Sequence, residues 1–209
     1  MRTALIIEIE ELLFDTLDRR SRVLTESLVR EGVTVPLDDV RRAHAGVPAL
    51  AALAAIPAYG RLDDVGQALV LRRYADAVTE SFTRAVPSFD PSVHHTIELL
   101  ASEFPLGIVT RAERGDAQWL LEQTGLDACF TTIRSLADVH ASAQQLAWSE
   151  VFSRLLADRG AAFASANMLP GAAEAGLQTV AVGPGSCVVA RGEQRPFARV
   201  DTAFITSLF

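Results

Sequence analysis

At 209 residues the chain is long enough to bury one substantial core, with or without a small insertion, and with 49% hydrophobic and 22% charged residues it gives no sign of disorder. Its 26 acids against 19 bases leave a net charge of -7 without any basic run, which excludes the electrostatic footprint of a nucleic-acid binder. No apolar stretch approaches the ~20 residues of a membrane span, and the N-terminus lacks the charged, apolar and small-residue succession of a signal peptide, so the expected location is the cytoplasm.

Cys129 and Cys187 are far apart, and no Cys-x-x-Cys or Cys/His cluster exists to hold zinc, so both are expected as buried free thiols. All 19 basic residues are arginine; the chain has no lysine.

The first predicted element is a buried strand at Ala4 to Ile7. It runs directly into Ile7-Glu8-Ile9-Glu10-Glu11-Leu12-Leu13-Phe14-Asp15-Thr16, where acids crowd the end of the apolar run. Between about Leu17 and Ser88 the periodicity is helical throughout, with helices expected at Ser21 to Arg30, Leu37 to Ala45, Ala49 to Ile56 and Val65 to Phe82. Pro87 and Pro91 bracket the return to a mixed pattern.

From there helices are expected at Pro91 to Phe104, Glu113 to Thr124 and Ser142 to Arg159, the second presenting Trp119, Leu120 and Leu121 to a core. Short apolar runs at Leu106 to Val109, Ala161 to Ala166 and Thr179 to Val182 read as strands, Gly183 to Ser186 as a turn, and Val200 to Leu208 as a last short strand and turn. Strands alternating with helices imply βαβ units with right-handed crossovers. The expected fold class is therefore α/β: a Rossmann-like parallel sheet core flanked by helices, with an inserted all-helical segment. In such sheets ligands bind outside the carboxyl ends of the strands.

The run from Ile7 to Thr16 resembles the first motif of the haloacid dehalogenase superfamily, in which a strand ends in Asp-x-Asp-Gly-x-Leu-x-Asp-Ser/Thr. The resemblance is to its phosphatase and phosphomutase branch, and it covers nearly the whole chain. It implies a core of residues 1–16 and 89–209 and a helical cap of residues 17–88. It also implies chemistry: the first Asp attacks phosphorus while Mg2+ holds the carboxylate and the phosphate.

This chain keeps the outline of that motif and changes its key positions. Glu8 stands where the nucleophile belongs, Glu10 where the general acid and base belongs, and Glu11 where a glycine belongs. An added methylene displaces a carboxylate by roughly 1 Å, which can cost on the order of 100-fold in rate. An alternative is that these residues are only the solvated end of an edge strand.

The resemblance continues. Pro105 to Thr110 is similar to the second strand of the family, with Thr110 as the hydroxyl that binds phosphate together with the following backbone N–H groups. Arg111 follows where the family has a small residue or an amide. It either neutralises Glu8 and Glu10 as an internal ion pair or is an ordinary exposed arginine. The third motif requires a lysine between Ser135 and Ala147, and none exists; only an arginine such as Arg134 is available to deputise. The fourth motif keeps its frame in Ala172, Ala175-Gly176 and Thr179 to Val182, but counting back puts Phe163 and Ala164 where acids should bind Mg2+.

Glu8, Glu10 and Asn167 remain as oxygen donors, too few for a hard divalent cation, so no metal is expected. His44, His94, His95 and His140 stand apart from any nucleophile and are expected at or near the surface. Glu113, Arg114 and Asp116 read as partners of a helix N-terminus.

Three functions are thus open. The first is a pseudo-enzyme that has lost phosphohydrolase activity and acts as a binding or assembly subunit with a protein partner or larger assembly. The second is a Mg2+-dependent hydrolase of a small phosphate ester with Glu8 in the nucleophile position. The third is a metal-free anion-binding protein using Thr110 and Arg111.

Overall fold

The computed structural model describes the chain except residues 15, 46, 88, 138–143, 184–186 and 191, together with the side chains of Glu11 and Glu193. It divides into two compact units, Met1–Asp15 with Ser88–Phe209, and Thr16–Pro87.

Strand β1 (Thr3–Glu8) is buried along its whole length, as its unbroken apolar run requires of a strand covered on both faces. It passes without a loop into α1 (Ile9–Leu12), a single helical turn. Glu11 lies in that turn, and among the described residues Leu156 alone takes a positive φ without being glycine. Replacing the family's glycine therefore imposes no left-handed strain here.

The second unit contains α2 (Leu17–Arg30), α3 (Leu37–His44), α4 (Ala49–Ala54) and α5 (Asp64–Arg84), and no strand among its described residues. Asp63 caps α5 by accepting from Gly66 N. Leu24, Leu28, Val40, Leu53, Val70 and Phe82 are buried within it. His44 is buried as well, contrary to its expected place near the surface: its Nε2 lies 3.4 Å from the hydroxyl of Tyr74, which accepts from Arg20 Nε at 2.9 Å.

The chain returns through α6 (Pro91–Glu103), where Asp90 accepts from Ser92 N and Pro91 supplies a φ already suited to a first turn. Then follow β2 (Leu106–Thr110), α7 (Arg114–Thr124), β3 (Phe130–Ser135), α8 (Gln144–Arg154), β4 (Arg159–Ala164), α9 (Leu169–Glu174), β5 (Gln178–Gly183), β6 (Cys187–Ala190), β7 (Glu193–Pro196) and α10 (Thr202–Ser207).

The seven strands form one sheet in the order β3-β2-β1-β4-β5-β6-β7. Those from β3 to β5 are parallel, whereas β6 and β7 extend the sheet antiparallel. Because β1 is central, the solvated edge strand is ruled out. Ile7 pairs with Ile108 on one side and with Phe163 on the other, so β1, β2 and β4 end at one level. The strand order reverses beside β1, the place where open α/β sheets form a crevice.

Packing below that level is close. Trp148, Val151 and Leu155 of the α8 region pack with Ala4, Ile6, Val109 and Ala162 of the sheet in one apolar cluster. A Cβ on Gly107 would stand 2.5 Å from Val151 Cγ1, so only glycine lets α8 approach β2 this closely.

Several expectations need correction. Val200 to Leu208 is not a strand: Asp201 caps α10 by accepting from Phe204 N at 2.8 Å, and buried Phe204, Ile205 and Leu208 recur at helical spacing. β7 and the half-exposed β3 contain no apolar run; β6 has one, Cys187–Ala190, but it follows the glycine- and proline-rich turn so closely that the sequence alone does not set it apart as a strand. The helix expected to end at Arg159 stops at Arg154, and Arg159 opens β4. Trp119 is half-buried, as are the free thiols of Cys129 and Cys187. His140 and the center of the turn at Gly183 to Ser186 lie outside the described residues.

Candidate active-site pocket

Glu8 is the last residue of β1 and the N-cap of α1; Glu10 follows within α1. Thr110 ends β2, Arg111 and Ala112 begin the loop into α7, and Ser165 follows β4. All of them are buried, Glu8 completely.

Both oxygens of Glu8 are engaged by the protein. Arg111 Nε lies 2.6 Å from Oε1, an ion pair whose two side chains are 2% and 0% exposed. Ser165 donates to Oε2 from its backbone N at 2.7 Å and from Oγ at 2.8 Å. Of the two readings of Arg111, the internal ion pair is the one formed, and it includes Glu8.

Glu10 meets a different environment. Its Oε1 accepts from Thr110 Oγ1 at 2.5 Å, from Arg111 N at 2.7 Å and from Ala112 N at 2.8 Å. Successive N–H groups and a hydroxyl converging on one point make an oxyanion nest, and the nearby start of α7 adds its positive dipole end. The nest is braced from behind: Ser135 Oγ donates to Ala112 O at 2.6 Å and Leu136 N to Thr110 O at 2.7 Å.

Burial pushes the Glu8 carboxyl up from its ordinary value. The Arg111 guanidinium opposes that rise, the neighbouring Glu10 carboxylate adds to it, and the two Ser165 donors hold it down again.

No family model matches the chain, and no curated protein matches it. Solved structures do. CbbY from Rhodobacter sphaeroides, in a crystal structure with xylulose-1,5-bisphosphate, superposes with a TM-score of 0.73 at 17% identity, over 88% of this chain and 87% of that one. A haloacid dehalogenase-like hydrolase from Streptococcus pneumoniae gives 0.65 at 20% identity, over 87% and 85%. Protein tyrosine kinase A from Mycobacterium tuberculosis gives 0.69 at 20% identity, over 86% and 83%.

The fold is haloacid dehalogenase-like. Neighbours named for hydrolysis and for kinase activity share it, so the fold leaves the chemistry to be argued from the site.

Within a haloacid dehalogenase-like frame, the residues do not provide the donor set that Mg2+ needs. A hard dication wants several oxygens, and here Oε1 of Glu8 is paired with the Arg111 guanidinium while Oε2 of Glu8 and Oε1 of Glu10 already accept from protein donors. At the end of β4, Phe163 packs edge-to-face on Phe197 at 5.7 Å and Ala164 offers no ligand atom. Asn167 is exposed. Among the described residues no three His, Cys, Asp or Glu side chains converge. Arg134, the candidate deputy for the missing lysine, pairs instead with Glu150 at 3.0 Å, each about two-fifths exposed. Part of the stretch expected to carry the lysine, residues 138–143, lies outside the described residues.

Sequence reasoning missed Ser165 and Ser135. Ser165 directly follows the two positions counted back from Gly176, so a search for hydroxyls just past a strand end would have raised it. Ser135 was included only as the start of the lysine stretch; nothing local marks its bond to Ala112.

Proposed function

We propose that this haloacid dehalogenase-like protein does not hydrolyse phosphate esters and works in the cytoplasm as a binding or assembly subunit. The ion pair between Arg111 and Glu8 carries this reading. A nucleophile must present an oxygen to phosphorus, and a carboxylate held by a buried guanidinium on one oxygen and two donors on the other is oriented for structure rather than for attack. The absence of lysine from the chain and of an acid at Phe163 and Ala164 supports it further, since developing phosphoryl charge would have little to balance it.

The test is phosphate release from a set of small phosphate esters, including para-nitrophenyl phosphate and sugar phosphates, with Mg2+ present. Wild type is expected to match a Glu8→Ala control. Turnover clearly above that control would favour the hydrolase reading, with Glu8 as nucleophile. Native purification from the chain's own cells examines the other half: recovery with a stoichiometric partner is expected, and recovery as a lone monomer would remove the assembly role.

A further inference from the structure

We infer that Glu10 is a built-in ligand: a tethered carboxylate that fills the oxyanion nest of Thr110, Arg111 and Ala112, so that a free oxyanion enters only when Glu10 is removed. The inference deepens the proposed function, because it rests on the same self-satisfied pocket and names what would bind there in its place.

Three donors from consecutive residues meet a single oxygen of Glu10 at 2.5, 2.7 and 2.8 Å. Ala112 N also donates to Thr110 Oγ1 at 3.1 Å, which ties the hydroxyl to the neighbouring amide. Ser135 and Leu136 fix the carbonyls on either side of that loop, and the donors therefore keep their direction without Glu10. A preorganised set of N–H and O–H groups at the head of an 11-residue helix recognises negative oxygen in general and carries no requirement for the chain's own carboxylate.

The tether explains the choice of ligand. Glu10 is carried on α1, immediately beyond the strand hydrogen-bonded to β2. A ligand on so short a leash acts at an effective concentration on the order of millimolar or higher, so a dissolved anion competes poorly. The extra methylene of glutamate over aspartate, roughly 1 Å of reach, serves this contact. In sequence it reads as a loss of catalytic register.

The experiment uses the intact chain. Amide spectra and thermal unfolding are recorded for wild type and Glu10→Ala with sodium acetate, with inorganic phosphate, and with sodium chloride at matched ionic strength. Acetate is the fragment that Glu10→Ala deletes, and phosphate tests whether the nest also takes a tetrahedral oxyanion. The Arg111 and Ala112 amide resonances of Glu10→Ala are expected to move saturably with acetate or phosphate and not with chloride. The unfolding temperature should rise in step, with binding at least about tenfold tighter than in wild type. Resonances that ignore both oxyanions in Glu10→Ala, or that move equally in wild type, would overturn the inference.

Should Glu10→Ala fail to fold, Glu10→Gln decides: its Arg111 and Ala112 amide protons shift upfield as a charged acceptor becomes neutral, and unchanged positions count against the nest. Ester hydrolysis by wild type separates the two readings. Turnover there would defeat the non-hydrolytic function and leave the nest standing, whereas a nest that takes no anion would fall by itself.

Discussion

Ile6 and Ile7 of β1, Ile108 of β2 and Ala162 of β4 are wholly buried among other apolar groups. A few positions further along the same strands, Glu8, Glu10, Thr110, Arg111 and Ser165 are almost equally buried and are polar or charged. The body of the sheet is held by transfer of apolar surface from water and by close packing, neither of which depends on a particular partner. Its rim is held by reciprocal satisfaction: each buried polar group is tolerable only because another meets it. Damage in the body should therefore scale with volume, and damage at the rim with the group left unpaired.

The sharpest way to break the contrast is Arg111→Ala, which leaves Glu8 buried without its partner. A loss of about 3–5 kcal/mol is expected from urea unfolding, and Glu8→Leu combined with Arg111→Met should recover much of it. If the double variant is no better than the single, the rim is not a mutually satisfied pair.

In the body, Gly107→Ala places a methyl where Val151 Cγ1 already stands and should cost about 1–3 kcal/mol by the same measurement. A neutral result would mean that α8 gives way readily. Ser165→Ala removes one of two donors to Glu8 Oε2 while the backbone donor stays, so a loss of about 1 kcal/mol is expected in the same unfolding measurement.

The smallest effect is pH dependence. The folded Glu8 carboxyl titrates above its ordinary value of 4.5, so between that value and the folded one the native state holds a proton that the unfolded chain has lost. Stability from this group is then present at low pH and declines as pH rises through the window, flattening above it. Replacing Glu8 by glutamine should make wild type lose stability relative to the variant as pH increases. A difference that stays constant across the window would show that Arg111 cancels the cost of burial entirely.

Local patterns revealed much of this molecule. The apolar run at Ala4 to Ile7 required a buried strand, the helical periodicity from Leu17 to Ser88 required an all-helical insertion, and the run at Leu106 to Val109 required a second strand, which ends at Thr110. Three strands escaped: β3 alternates half-exposed residues, and β6 and β7, four residues each, form the antiparallel end of the sheet. In the pocket the candidate residues were legible one at a time, but their partners were not.

The sequence by itself determined that the chain lacks lysine, that glutamates stand at positions 8 and 10 and that no acid stands at Phe163 or Ala164, because these are matters of composition and order. Only the tertiary structure decided what the glutamates do. Glu10 meets Thr110 across 100 residues of chain and Glu8 meets Ser165 across 157, pairings that no local periodicity encodes. They exist because the parallel register brings three strand ends to one level, where water is excluded and each charge must find its counterpart in the protein.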